Sequence, residues 1–421
     1  MINYNTLGNN LKRDLFKFSE KISKDFTKPT RKFTADMVFG IISAKSCKLT
    51  DIGRTLKEDI ALKKTEERLC RNLANFSDRE TLMNNYLTAV RPNFGDDTML
   101  LIDGGDVTKP SSTKMEAIGT VYDGSEGKYG DGYWTMGAVA LTDQMQQPIP
   151  VYESLYPCMK QGGSGFKAET KKVLENLREN FDNHIPRIFD RGFDSGSIIK
   201  ELIDHDEKFI LRVNQNRVVV HNGKTTKIDD VVRGLNCRQM LTFRSKTGNV
   251  SNCKIGMTKI ALPRLGNLKL NLVVCKEFGE KPLVLYTNLD EDIDTLAVRV
   301  VKGYLMRWRI EEFYAFKKQS LNSEDFRVRS LESIKTLDLF ITIAAGYIGT
   351  ICEKVNDKIF VSELISVSKR IPKYSVFIQK TKFFYYAVLD GITCLFARLQ
   401  CGISHYFAPK PASPQLCLPG A

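Results

Sequence analysis

The feature that most constrains the fold is a change of hydrophobic period near Pro92. Before it the chain reads as helices, from "TLGNNLKRDLFKFSEKISKDF" to "SCKLTDIGRTLKEDIALKKTEERLCRNLANF". After it come the apolar runs "TMLLID" (98–103), "GYWTMGAVALTD" (132–143) and "PIPVYESLY" (148–156), which predict consecutive strands. The glycine-rich "DGSEGKYGDG" joins the first two. A helix is predicted over about 166–180, then a strand in "PRIFD" (186–190), then a helix through "SGSIIKELID". A sheet laid down early and followed by strand–helix alternation predicts a mixed α/β layer.

From "KFILRV" (208–213) to "LVLYTN" (283–288) the pattern is short strands with turns at Asn222-Gly223 and Thr247-Gly248-Asn249, which reads as a β-rich insertion. Apolar helices follow over about 330–400, and "APKPASPQLCLPGA" is a loose proline-rich end. The segment "LFITIAAGYIGTI" (339–351) is shorter than the roughly 18 residues a membrane span needs, so it is predicted to be a buried helix. Near the N-terminus, Thr50 as a cap, a turn around Asp59 and a helix start at Thr65-x-x-Arg68 give helix-turn-helix spacing; a plain helical bundle fits the same residues.

With 421 residues, 42% hydrophobic and 26% charged, the chain can bury a sizeable core in two or three units, and disorder is excluded as its organising principle. Lys plus Arg exceed Asp plus Glu by 62 − 49 = 13. The pI near 9.1 points to a polyanionic partner, nucleic acid or a membrane surface. Ten scattered cysteines with no C-x-x-C suit a reduced, cytoplasmic chain, and no signal-peptide or membrane-inserting segment is expected.

Two aspartates share a setting, each following a buried-type strand and preceding a turn: Asp103 in "LLIDGG" and Asp190 in "RIFDRG". Carboxylates at the ends of adjacent strands point into one crevice. Asp106 rivals Asp103, which is preferred because it ends the strand directly. A third acid comes from "YLMRWRIEEFYAFKK" (304–318). At about 100° per residue, Tyr304, Arg307, Glu311 and Lys318 fall on one stripe of a single helix, opposite Leu305, Met306, Ile310, Phe313 and Phe316. Glu312 is turned about 100° away, so Glu311 is the better partner for the aspartates. Trp308 and Ala315 beside the stripe suit a lined groove. Three converging carboxylates call for cations, and oxygen-only ligands suit Mg²⁺ or Mn²⁺; two such ions can drive phosphodiester chemistry.

The spacing Y-x2-R-x3-E-x6-K, with Asp103 in "IDGGDVTKP" and Asp190 opening "DRGFD", resembles the YREK signature of the DDE transposases of bacterial cut-and-paste insertion sequences. The resemblance covers residues 95–350 and implies an α/β, RNase H-like catalytic domain with a β-rich insertion. The implied order is a helical DNA-binding region (1–92), the catalytic domain (93–207 and 296–353) split by the insertion (208–295), and a helical C-terminal region (354–421) serving dimerisation. It further implies two Mg²⁺ ions on Asp103, Asp190 and Glu311, with Mn²⁺ as a substitute. Tyr304, Arg307 and Lys318 would contact DNA phosphates. The partners would be double-stranded DNA, both transposon ends and target, and a second copy of the chain in a synaptic homodimer. The tryptophan that some relatives use to stack a flipped base is missing from this insertion, where Leu283 takes its place. Two other readings are a catalytically inactive DNA-binding regulator and an RNase H-like nuclease without strand transfer.

Overall fold

The computed structural model describes residues 4–407 apart from 111, 113, 125–126, 144–145, 245–249, 291–292, 354–362, 365 and 368–382. The chain opens with helices α1 (Tyr4–Ile22), α2 (Lys28–Ala44), α3 (Leu49–Leu56), α4 (Leu62–Ala74) and α5 (Arg79–Val90). Thr50 does not cap α3. Lys48 holds that position, and the Thr50 hydroxyl donates to Glu66 at 2.8 Å. Helix α4 starts at Leu62 rather than Thr65, and its Arg68 is consumed internally, donating to Asp36 (2.9 Å) and Glu58 (2.8 Å). The buried Asp36 needs such partners, because an unpaired charge away from water is costly. Burial pushes Glu58 up, but hydrogen bonds from Lys32 and Arg68 hold it down at about 2.

The sheet begins with β1 (Leu100–Thr108), β2 (Gly119–Asp123), β3 (Lys128–Leu141) and β4 (Pro148–Tyr156). Strand β1 runs antiparallel to β3 from Leu100↔Ala140 to Thr108↔Gly132, so it continues five residues past Asp103 rather than ending there. The glycine-rich segment is more than a connection. Its ends pair as a β2–β3 hairpin, Tyr122 opposite Tyr129, which prolongs β3 toward its N-terminus. Helix α6 (Phe166–Asn180), strand β5 (Arg187–Phe189), helix α7 (Gly196–Asp204) and strand β6 (Phe209–Arg212) follow. Strand β5 lies parallel to β1, and β6 parallel to β5. The resulting order β4-β3-β1-β5-β6, three antiparallel strands and then two parallel ones, is the RNase H-like arrangement.

The β-rich segment comprises β7 (Val218–His221), β8 (Lys224–Lys227), helix α8 (Ile228–Gly234), β9 (Gln239–Arg244), β10 (Val250–Leu262), β11 (Leu268–Lys276) and β12 (Leu283–Thr287). The helix α8 was not expected there. Asn222 and Gly223, both at positive φ, make the β7–β8 turn; the 247–249 turn lies outside the described residues. The segment does not fold into a separate sheet, because β12 pairs antiparallel with β6 and carries the same sheet onward through β11, β10, β7 and β8.

Helices α9 (Ile293–Leu305), α10 (Trp308–Ser320), α11 (Leu331–Glu353) and α12 (Tyr385–Ala397) follow. The single helix expected over 304–318 is two. At the junction Arg307, Arg309 and Ile310 bond three residues back, to Tyr304, Met306 and Arg307, which tightens the chain for one turn. Helix α11 is long and apolar enough to span a bilayer, but 83% of its most apolar window is buried against β4 and helices α2, α4, α5 and α12. It is a core helix. The 354–421 region falls largely outside the described residues, including all of "APKPASPQLCLPGA".

Candidate active site

The register of the parallel strands decides where the aspartates go. The β1–β5 ladder ends at Ile102↔Phe189, so Asp103 and Asp190 are the next residues on neighbouring strands and stand side by side. Asp190 then leaves the sheet, and its Oδ1 accepts from the Gly192 N–H at 2.7 Å in a tight turn. Helices α9 and α10 cross this edge. Their junction puts Arg307 over Asp103: Nη1 donates to Asp103 Oδ2 at 3.1 Å, and Nη2 donates to Glu311. One guanidinium thus bridges two of the three candidate carboxylates.

Burial raises the Asp103 carboxyl to about 7, Arg307 opposes this, and the nearby charges of Asp190 and Glu311 add to the rise. Asp190 and Glu311 are therefore both near enough for their charges to act on Asp103. For Arg307, burial alone would lower the pKa, but Asp103 and Glu311 outweigh it and keep the guanidinium more firmly protonated. Among the described residues no three His, Cys, Asp or Glu side chains are drawn into a metal-holding cluster, and Arg307 stands between Asp103 and Glu311. The donor set itself, three carboxylates without nitrogen or sulfur, fits a hard divalent cation.

The rest of the stripe separates. Tyr304 is buried at the end of α9, where its carbonyl accepts from the Arg307 N–H at 2.9 Å. Lys318 reaches Glu324 at 3.0 Å and Asp106 at 3.6 Å, away from the Arg307 bridge. Asp106, the rival to Asp103, thus sits with Lys318 three residues further along β1. Glu312 turns away to Arg309 at 2.9 Å. Behind the stripe, Ile310, Phe313 and Phe316 are fully buried, whereas Leu305 and Met306 at the junction are only half-buried. Trp308 is 51% exposed. Trp134 packs within the sheet, opposite Asp106 and Tyr156, and Leu283 is buried at the start of β12.

Sequence reasoning missed what seats α10. Asp103, Gly137 and Glu153 lie in one row across β1, β3 and β4. Tyr314 fills the notch at Gly137, where any Cβ would collide with its hydroxyl, and donates to the Asp103 carbonyl at 3.2 Å. One turn on, the buried Lys317 meets Glu153 and Asp338 at 3.3 Å each and donates to Thr342 at 3.0 Å. Burial pushes Glu153 above the usual carboxylate range, with Lys317 pulling the other way. The only available signal was Lys317 beside Phe316 on the apolar side of the helix.

Residues 95–346 match the family described as Transposase DDE domain, well over half of the chain. The chain belongs to this transposase family. The matched stretch starts just before β1 and ends within α11, so the transposase domain contains all six stripe and strand-end residues together with Gly137, Glu153, Tyr314, Lys317 and Asp338. Among solved structures, the chain is similar to one described as a cryo-EM structure of the piggyBac transposase synaptic complex with hairpin DNA. Identity is 13% over 95% of this chain and 86% of that one, with a TM-score of 0.47.

Proposed function

We propose that this transposase binds the terminal inverted repeats of an insertion sequence of the YREK type, cuts the element's ends and joins them to target DNA. The observation that carries the reading is the Arg307 bridge between Asp103 and Glu311 at the edge where Asp190 stands beside Asp103. Acids on β1, just past β5 and on α10 surround one arginine there, the charge pattern that a phosphodiester and its cations require.

Asp103, Asp190 and Glu311 would hold two Mg²⁺ ions, or Mn²⁺ in their place, and such ions would supply an activated water and neutralise charge at phosphorus. Arg307 exchanges its carboxylate partners for a phosphate of the DNA end, to which a planar guanidinium donates two parallel hydrogen bonds. Lys318 and Tyr304 hold further phosphates of the same end. Water attacks phosphorus, the bond to the 3′ oxygen breaks, and the freed 3′-OH attacks a phosphodiester of the target with loss of its 3′ oxygen. Two copies of the chain act together on paired ends, in the cytoplasm where the DNA lies.

Asp190→Asn and Glu311→Gln should each abolish cutting of end DNA in Mg²⁺ while leaving specific binding nearly intact, because the ligand charges are lost but the phosphate contacts remain. Gel assays of a labelled end duplex follow both. Cutting at wild-type rates in either variant refutes the site assignment. Wild-type binding without any cutting favours the inactive regulator, and cutting without joined products favours a nuclease.

A further inference from the structure

The row that contains Asp103 and Asp190 has a third member. The β5–β6 ladder ends at Phe189↔Leu211, so Arg212 stands beside Asp190 as Asp190 stands beside Asp103. Strands are about 4.8 Å apart, which places Arg212 about two strand spacings from Asp103, on the side away from α10. There it lines a cleft of about 490 Å³ with Arg191 and Lys281, and no acidic residue contributes to the wall. All three cations are exposed, and none has an ion pair with a described residue. Like charges gathered in one cleft with no ion pair of their own raise one another's energy unless an anion joins them.

The walls are held firmly. The Asn214 N–H donates to Asp194 Oδ2 at 2.9 Å, Arg217 pairs with Asp194 at 2.6 Å, and the Gln215 side chain donates to the Pro282 carbonyl at 3.1 Å. Asp194, four residues past Asp190, thus ties the loop after β6 to the turn that carries the candidate ligand. The cations are presented on a fixed scaffold in continuity with the acids.

We infer that this cleft binds the sugar-phosphate backbone of the DNA flanking the element, the segment beyond the scissile phosphate. The inference rests on the functional reading above, in which α10 takes the element's own end. The carboxylate row lies between Lys318 and Arg307 on one side and Arg191, Arg212 and Lys281 on the other. A strand crossing the row therefore meets cations before and after the phosphate to be cut. The β-rich segment supplies Lys281, which gives its fusion to the catalytic sheet through β12 a role in substrate binding.

The test uses two labelled duplexes with the same terminal repeat, one ending at the cut and one continuing about ten base pairs into flanking DNA, measured by anisotropy without divalent metal. The double variant Arg212→Ala/Lys281→Ala should bind the flanked duplex roughly ten- to a hundredfold more weakly at moderate salt. Its log–log salt slope should be shallower by about 2, near 0.9 for each phosphate no longer neutralised. Affinity for the precut duplex should stay within about twofold, and Arg212→Lys/Lys281→Arg should restore flanked binding. Equal weakening on both duplexes, or none on the flanked one, overturns the inference. Wild-type protein that binds neither duplex overturns the functional reading and takes this inference with it.

Discussion

The two ends of α10 use the same chemistry to opposite purposes. At its start, Arg307 bridges Asp103 and Glu311 at the mouth of a crevice, where 14%, 17% and 32% of those side chains reach solvent. Three turns on, Lys317 bridges Glu153 and Asp338 with 6%, 4% and 13% of those side chains exposed. Each end joins one cation to two carboxylates. The first can exchange partners at less cost, because Glu311 reaches water and a phosphate or cation can take over its charges. The second cannot, because the departure of Lys317 would leave two acids in the core. A buried ion cluster adds little net stability over apolar packing, but it penalises every other register of the helix. The sealed end therefore sets where the open end stands, and Tyr314 transmits this by holding the Asp103 carbonyl over the Gly137 notch.

The largest effect expected from this contrast is on stability. Lys317→Ala should lower the unfolding free energy by about 3–5 kcal/mol, while Arg307→Ala should cost less, about 1–2 kcal/mol, because Glu311 reaches water. Urea titrations of both variants measure the difference. Equal destabilisation would show that the two clusters are alike and that α10 has no sealed end.

A smaller effect separates Lys318 from its neighbour. Its amine pairs with Glu324 and faces Asp106, so it is available to phosphate where Lys317 is not. Lys318→Ala should allow the first nick yet slow the following step by roughly ten- to a hundredfold, since a charge-assisted hydrogen bond to phosphate is worth about 1.5–3 kcal/mol. Nicked DNA would then accumulate on denaturing gels. Unchanged rates for both steps would make Lys318 another scaffold lysine.

The smallest effect sharpens the comparison within one pair of adjacent residues. Glu312 pairs with the buried Arg309 on the flank of α10, turned from the acids, so Glu312→Gln should keep most of the cutting activity. A variant as inactive as Glu311→Gln would mean that the flank, not the stripe, faces the acids.

Local pattern made much of this legible. The runs that became β4, α6 and α7 carry their period within a few residues, and each formed at or near the predicted place. The β2–β3 hairpin was hidden because glycine-rich sequence advertises turns, while its pairing depends on the partner strand. The break between α9 and α10 was hidden because one tightened turn barely disturbs a 100° period over fifteen residues. Thr50 and Arg68 misled because caps and basic residues look alike whether they face solvent or a buried acid such as Asp36.

The sequence by itself determined the kinds and order of the chemistry: two aspartates in similar settings, a β-rich segment, then an arginine, glutamate and lysine at helical spacing. Those choices are carried by residue type and by periods of two and 3.6, which need no partner to be read. Only the tertiary structure decided which residues meet. The ladder endings at Ile102↔Phe189 and Phe189↔Leu211 set Asp103, Asp190 and Arg212 in one row. The seating of α10 on Glu153 chose Lys317 for the core and left Lys318 for the crevice. Two adjacent lysines are chemically identical along the chain; what separates them is the depth at which water stops screening their charge, and that depth exists only once sheet and helices have packed.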